Sequence, residues 1–310
     1  MQPQMHSNSS SVVKQHGFRV WWQLTRPHTL TAAFVPVLLG TALAIQGTDI
    51  DLGLFIAMLL ACLLIQAATN MFNEYYDFIR GLDTAESVGI GGAIVREGIK
   101  PKTVLLLAFT LYAVAMLIGV YICISSSWWL ALIGLISMLM GYLYTGGPFP
   151  IAYTPFGELF AGFFMGCLII LISFYIQTST VTPTAILISI PISILVGAIL
   201  LANNIRDLEG DKEFGRKTLA ILLGRTNAIR LLAGMFIVSY LLVFVLIAIN
   251  VTSPWSAIIV LSSPKAIKAT SGFIRHSIPI KMAPAMIATA QTNTIFGFLL
   301  SIGLFLAYLL

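Results

Sequence analysis

Long apolar runs recur along the chain, and short polar segments separate them. Each run approaches the roughly 20 residues that a helix needs to cross a bilayer. The pattern therefore predicts an all-α membrane protein with about nine transmembrane helices. The predicted spans are 29–47, 53–72, 103–124, 128–145, 156–177, 183–203, 229–250, 254–271 and 288–309. Pro264, Lys265 and Lys268 interrupt the eighth run, so we expect this span to be short or broken.

Basic residues occur on only one side of the predicted spans. All 17 Lys and Arg residues fall in the N-terminal segment, in alternate connections or in the adjoining parts of the spans, and the opposite connections carry none. Because Lys and Arg collect in cytoplasmic connections, we predict a cytoplasmic N-terminus and an external C-terminus. The net charge of +5 fits this bias better than it fits nucleic-acid binding.

Composition supports a protein embedded in a lipid bilayer. The chain is 58% hydrophobic and 9% charged, whereas an ordinary soluble domain has roughly 25% charged residues. We expect residues 1–20 to form a flexible cytoplasmic tail and residues 21–310 to form a single transmembrane domain. The expected location is a bacterial cell membrane.

Two cytoplasmic connections stand out because they are long and acidic. Residues 73–102 and 204–228 hold nine of the twelve acids in the chain. Each follows a similar polar pattern, NEYYD from Asn73 and NNIRD from Asn203. This repeat predicts two four-helix units around a central cavity, with a ninth helix added. Any chemistry is expected at the cytoplasmic face.

Amide and carboxyl groups form a polar stripe at each acidic connection. Side chains three or four residues apart share one face of a helix. The two stripes are Asn70, Asn73 and Asp77, and Asn203, Asp207 and Asp211. Asp83 can approach the first stripe only if the helix ends near Gly81 and the chain folds back. Carboxylates converging from both connections would repel one another, so we predict that cations lie between them.

Oxygen ligands beside basic residues are typical of a site for Mg²⁺ and a diphosphate. The predicted metal ligands are the carboxylates Asp77, Asp83, Asp207 and Asp211, which we also expect to be catalytic, together with Asn73 and Asn203. The predicted substrate-binding residues are Asn70, Arg80, Tyr144, Tyr153, Glu158, Arg206, Lys212, Arg216 and Lys217. Next to an apolar cavity, such a site suits ionisation of an isoprenoid diphosphate, with the metal as Lewis acid.

The two acidic motifs resemble those of the UbiA superfamily of intramembrane prenyltransferases. NEYYDFIRGLD at 73–83 is similar to the family pattern NDxxDxxxD, although Glu74 replaces an Asp and two extra residues precede Asp83. NNIRDLEGD at 203–211 matches the pattern NxxxDxxxD. The resemblance implies nine helices around a cavity and two aspartate-rich motifs that bind Mg²⁺ and a diphosphate.

Further stretches are similar to one branch of that family, the 1,4-dihydroxy-2-naphthoate polyprenyltransferases of menaquinone synthesis. These stretches are TRPHTL at 25–30, NMFNEYYDFIRGLDT at 70–84, GGAIVREGIKP at 91–101, YTGGPFPIAYTPFGE at 144–158 and DKEFGRKTLAILLGR at 211–225. The resemblance implies that a polyprenyl diphosphate and an aromatic hydroquinone acid react with loss of CO₂ and diphosphate, giving demethylmenaquinone. The missing basic residue after the fourth span separates the chain from the ubiquinone-type enzymes.

Alternative functions remain open from the sequence. The acceptor could be another aromatic compound, such as 4-hydroxybenzoate. The CDP-alcohol phosphotransferases are also aspartate-rich, but their DGxxAR pattern is missing here. A transporter would also carry repeats with acids between them, although we would expect those acids near mid-span. Magnesium-dependent turnover of a diphosphate distinguishes the enzyme from the transporter.

Overall fold

The computed structural model describes residues 17–27, 29–83 and 92–310, and these form helices and turns with no β-strand among them. The all-α prediction is confirmed. In chain order, the α-helices are α1 Phe18–Leu24, α2 Thr31–Ala44, α3 Leu52–Ile79, α4 Ala93–Glu97, α5 Pro101–Ser125, α6 Trp129–Leu143, α7 Gly157–Thr178, α8 Pro183–Arg206, α9 Leu208–Glu213, α10 Leu219–Leu223, α11 Arg225–Ala248, α12 Ser263–Arg275 and α13 Pro279–Leu309.

The described helices include enough long apolar segments for an integral membrane protein. Six of them, α3, α5, α7, α8, α11 and α13, are long and apolar enough to cross a membrane, and α2 and α6 are shorter apolar helices. The predicted eighth span is indeed broken, because a 3₁₀ segment, Pro254–Ser262, precedes α12. Helical structure thus occupies each predicted span, while the number of membrane crossings stays a prediction.

Contacts between helices follow a similar order in the two halves of the chain. Helix α3 packs along α5, and its predicted counterpart α8 packs along α11. Helix α13 then packs against α2, α8 and α12 and brings the two halves together. This arrangement is the one expected for two related four-helix units with one added helix.

Small residues decide how closely α7 approaches α8. A Cβ atom on Gly162 would lie 2.6 Å from the backbone oxygen of Ser193, and one on Gly166 would lie 2.5 Å from the Ser193 Cα. Close helix approach through small residues is the usual packing solution in membranes, where apolar side chains gain little by leaving lipid. This part of α7, Gly162–Leu168, is wound as a π-helix.

The N-terminal helix belongs to the packed domain. Val20 and Leu24 of α1 are buried in a cluster with Ala93 and Ile94 of α4. The helical domain therefore begins at Phe18, slightly before the boundary that we predicted at residue 21. Residues 1–16 of the predicted tail, and residues 84–91 of the first acidic connection, lie outside the described residues.

Candidate active site

A cavity of about 410 Å³ lies among α3, α5, α6 and α7, and most of its lining is apolar. Gly141 and Trp128 both line it, so at 1.5 Å per helical residue the cavity follows α6 for about 20 Å. Its polar lining residues include Arg26, Asn70, Asn73, Tyr144 and Asn203. The shape suits an elongated apolar ligand with a polar end.

The first acidic motif turns back on itself at the end of α3, as predicted. Gly81 has φ +74°, a left-handed conformation that favours glycine. The backbone N–H of Leu82 donates to the carbonyl of Asp77 over 2.8 Å, and this bond closes the helix end. The turn brings Asp83 near Asp77. Burial, and then the charge of Asp77, raise the pKa of the Asp83 carboxyl to about 6.

The second motif spans the break between α8 and α9. Asn203 lines the cavity from the last turn of α8. Asp207 follows the helix end and is held by its neighbour Arg206, with N–O distances of 2.6 and 2.5 Å. Its side chain is 39% exposed, whereas that of Asp211 is buried. Burial is the main cause that raises the pKa of Asp211 to about 6.

Arg216 joins the two acidic motifs. Its Nη2 lies 2.7 Å from Asp77 Oδ1, and its Nη1 lies 3.0 Å from Asp211 Oδ1. The guanidinium also lies 5.0 Å from the centre of the Tyr153 ring. Burial lowers the pKa of Arg216, but the two carboxylates outweigh it and the net direction is upward. An arginine that we predicted to bind phosphate therefore occupies the space between the two motifs.

The carboxylates do not converge on one point in the way that we expected. Across residues 17–27, 29–83 and 92–310, no three His, Cys, Asp or Glu side chains are grouped closely enough to hold a metal ion. Asp77 and Asp211 meet through Arg216, Asp83 lies near Asp77, and Asp207 faces Arg206. The metal assignment accordingly stays a prediction.

The two asparagines of α3 anchor neighbouring segments as well as lining the cavity. Asn70 Nδ2 donates to the Thr25 carbonyl over 2.8 Å and to Thr29 Oγ1 over 2.9 Å. Asn73 Oδ1 accepts a hydrogen bond from Thr145 over 2.8 Å. The first motif thereby positions the start of α2 and the connection after α6.

Arg80 organises the connection between α6 and α7. It donates to the carbonyls of Thr145 and Gly147 and lies 5.5 Å from the centre of the Tyr153 ring. These contacts use two of its five N–H donors for structure, and the phosphate contact stays a prediction. Tyr144, from the same connection, lines the cavity as expected for a substrate-binding residue.

Glu158 and the two predicted lysines occupy different surroundings. Glu158 is buried, does not line the cavity, and accepts a 2.8 Å hydrogen bond from Asn204 through Oε1. Lys212 and Lys217 are exposed beside the second motif, and their side chains form no ion pair with any described residue. The lysines thus remain free to meet a phosphate.

Sequence reasoning assigned no role to Arg26. The residue lines the cavity and has φ +51°, which is rare outside glycine. Its buried Nε has no hydrogen-bond partner among the described residues. The sequence feature that could have identified it is its position directly before Pro27, at the entrance to the first apolar run.

Glu74 holds α4 against α3, and we predict that Glu74→Gln destabilises the protein. Glu74 is 1% exposed and accepts hydrogen bonds from the backbone N–H groups of Gly92 (2.8 Å) and Ile94 (3.2 Å). Loss of the carboxylate weakens both bonds, so we expect a cost of about 1–3 kcal/mol in unfolding free energy. Thermal unfolding in detergent measures this loss of stability. Glu213→Gln, at an exposed acid, is the control, and an equal melting temperature in both variants would contradict the prediction.

The fold and the site together define a helical membrane protein with an elongated apolar cavity. Arg26 and the asparagines Asn73 and Asn203 of the two acidic motifs line its polar part. The chain belongs to the UbiA prenyltransferase family, whose profile matches residues 33–289. It is 64% identical over 290 residues to the 1,4-dihydroxy-2-naphthoate octaprenyltransferase of Bacillus subtilis (strain 168), which covers 94% of this chain and 93% of that relative. The predicted family resemblance is confirmed.

Solved structures share the fold at low sequence identity. The apo structure of a UbiA homolog from Aeropyrum pernix K1 superposes with a TM-score of 0.66 at 16% identity, covering 89% of this chain and 98% of that one. A UbiA homolog from Archaeoglobus fulgidus bound to DMAPP and Mg²⁺ superposes with a TM-score of 0.56 at 17% identity, covering 91% and 99%.

Proposed function

We propose that the protein transfers a polyprenyl group from polyprenyl diphosphate to 1,4-dihydroxy-2-naphthoate, with release of diphosphate and CO₂, to give demethylmenaquinone in its reduced, hydroquinone form. The main support for this proposal is the 64% identity, over nearly the whole chain, to a 1,4-dihydroxy-2-naphthoate octaprenyltransferase. The apolar cavity with a charged end supports the same reaction, because the donor substrate has a long apolar chain and a diphosphate.

The acidic motifs fit a magnesium-bound diphosphate. Carboxylate and amide oxygens are hard ligands of the kind that Mg²⁺ prefers. Burial raises the pKa values of Asp83 and Asp211 to about 6 even with Arg216 nearby, so a bound cation would stabilise the charged forms of both carboxyls. A bound Mg²⁺ would neutralise the leaving diphosphate. The residues that would hold it are Asp77, Asp83, Asp207 and Asp211, with Asn73 and Asn203.

Basic residues at the polar end would hold the phosphate oxygens. Arg216, Lys212 and Lys217 lie beside the second motif, and Arg26 lines the cavity. The bond between the prenyl carbon and the diphosphate oxygen breaks with its electron pair on oxygen. The carboxyl-bearing ring carbon of the naphthoate then forms the new C–C bond, and CO₂ leaves. Tyr144 lines the cavity, and its ring would stabilise the allylic cation.

The same proposal assigns the protein a place in the bacterial cell membrane. The distribution of basic residues supports a cytoplasmic N-terminus, an external C-terminus and cytoplasmic acidic connections at 73–102 and 204–228. Residues 18–310 act as one transmembrane catalytic domain in this arrangement.

A prenyl-transfer assay tests the proposed function. The purified protein is given a polyprenyl diphosphate, Mg²⁺ and either 1,4-dihydroxy-2-naphthoate or 4-hydroxybenzoate, with EDTA as control. We expect magnesium-dependent prenylation and CO₂ release from the naphthoate alone. Product from 4-hydroxybenzoate alone would show that the acceptor is not the naphthoate. Polyprenyl diphosphate that stays intact with both acceptors would favour a transporter.

We predict that Gly134→Phe shortens the prenyl chain that the enzyme accepts. Gly134 lines the cavity, and a Cβ atom there would meet nothing within 4 Å, so a phenyl ring would occupy cavity space. We expect kcat/KM to fall by about tenfold or more for long donors, and less for short ones, since each lost apolar contact of methylene size costs about 0.8 kcal/mol. Gly234→Phe, an equally open position outside the cavity lining, is the matched control. Equal losses for all donor lengths would contradict the prediction.

Magnesium binding should depend on pH through the buried acids. The pKa values of Asp83 and Asp211 are raised to about 6, so both carboxyls bind protons as pH falls through 6. Because a ligating carboxylate must be deprotonated, the apparent Mg²⁺ affinity should fall as pH drops from 7 to 5 and level off above 7. Calorimetric titration in buffers of different ionisation enthalpy measures the released protons. Proton release that is the same at pH 6 and pH 8 would contradict the prediction.

A further inference from the structure

A small basic pocket lies between α12 and α13, apart from the candidate active site. Its volume is about 190 Å³. Its lining includes the side chains of Lys268, Arg275, Lys281 and His276. The two helices touch at the pocket, because a Cβ atom on Gly272 would lie 2.8 Å from the Cβ of Ala285.

Among the residues that the structure describes, the cations of this pocket have no anionic partner. Residues 214–310 contain no Asp or Glu. The side chains of Lys268, Arg275 and Lys281 are exposed and form no ion pair with any residue that the structure describes. The N-terminus of the 31-residue helix α13, at Pro279, adds partial positive charge. The like charges repel one another, so a bound anion would stabilise the pocket.

Exposed apolar side chains occur on both helices of the pocket, as expected for a surface that faces lipid. Ile267, Ile274 and Ile280 are 68%, 69% and 65% exposed. Arg225, which begins α11 near the end of the second acidic connection, donates to the Phe273 carbonyl over 2.8 Å. The pocket therefore lies at the same face of the protein as the aspartates, where phospholipid headgroups meet the bundle.

We propose that this pocket binds the phosphate headgroup of an anionic phospholipid of the bilayer. Basic pockets between transmembrane helices at a membrane boundary bind lipid phosphates through charge. A soluble phosphate would use the cations alone. A phospholipid would use both features of the site, with its phosphate on the cations and its acyl chains against the exposed isoleucines.

The test measures lipid binding to the full-length protein in an uncharged detergent, with no substrate present. Phosphatidylglycerol, phosphatidylcholine and inorganic phosphate are titrated separately, with native mass spectrometry and the melting temperature as readouts. We expect phosphatidylglycerol alone to bind and to raise the melting temperature. K268Q/K281Q should bind it roughly 30-fold more weakly, since each lysine near an anionic lipid contributes about a fivefold factor. K268R/K281R should bind normally.

The control R230Q/K265Q removes the same charge from the same half of the chain, outside the pocket lining. Its affinity for phosphatidylglycerol should match that of the unmodified protein. Unchanged affinity for phosphatidylglycerol in K268Q/K281Q would refute this binding site. An equal loss of affinity in R230Q/K265Q would mean that the effect comes from the total charge of the protein and not from this pocket. Binding of inorganic phosphate with the same dependence on Lys268 and Lys281 would overturn the choice of a lipid. Because no substrate is used, failure here is distinct from failure of the proposed prenyl transfer.

Discussion

Asp77→Asn is expected to lower kcat by about 10³-fold while leaving the fold intact. The asparagine keeps the shape of the side chain but removes the negative charge that faces Arg216 at 2.7 Å. In the proposed mechanism this carboxylate also holds Mg²⁺ at the leaving diphosphate. Loss of one preorganised electrostatic contact to a developing charge typically costs about 10²–10³ in rate, and a metal ligand is expected at the upper end. The measurement is single-turnover prenyl transfer at saturating Mg²⁺.

Two further variants make the Asp77 result interpretable. Glu209→Gln removes an exposed acid of the second motif and should retain activity. Asp207→Asn should lose activity to a similar extent, although Asp207 is held by Arg206 and is partly exposed. An active Asp77→Asn enzyme would refute the metal assignment as a whole. An active Asp207→Asn enzyme alone would remove Asp207 from the ligand set.

Arg216→Gln is expected to change the affinities for metal and for donor substrate in opposite directions. Arg216 neutralises Asp77 and Asp211 together, at 2.7 and 3.0 Å. Without it the two carboxylates attract Mg²⁺ more strongly, so the half-saturating Mg²⁺ concentration should fall. The diphosphate loses a charged donor, so the KM for polyprenyl diphosphate should rise, and kcat/KM should fall by about 10²-fold or more.

Arg216→Lys separates charge from geometry at this position. Lysine keeps the positive charge but cannot bridge two carboxylates with a planar fork, so we expect an intermediate kcat/KM. Arg230→Gln, at an exposed arginine of α11, controls for net charge. If Arg216→Gln weakened Mg²⁺ binding, then the arginine would not compete with the metal for these carboxylates, and the proposed arrangement would be wrong.

The positions of the helices could be predicted because the bilayer imposes a simple rule on sequence. Backbone groups in lipid must be satisfied within the segment, so a spanning segment reads as a long apolar run. The runs at 53–72 and 183–203 contain no charged residue, and both are helical as predicted. The residues at which the helices end were harder to predict. α3 continues to Ile79 because Glu74 and Asp77 find partners in Gly92, Ile94 and Arg216, which lie far away in the chain.

Part of the cavity lining could be predicted from the sequence, but the pairing of the polar side chains could not. Spacing alone places Asn70 and Asn73 on one face of a helix, and both line the cavity. No spacing rule indicates that Arg80 uses its donors on the carbonyls of Thr145 and Gly147. The same holds for Glu158, whose partner is Asn204.

The sequence by itself determined that the protein is a helical membrane protein with two acidic motifs at one face, because hydrophobic length and charge placement are properties of local segments. Only the tertiary structure decided that Arg216 lies between Asp77 and Asp211 and that Arg26 reaches the cavity. These contacts join residues up to 139 positions apart. Which charges meet across such a separation depends on how the helices pack, and local pattern does not carry that information.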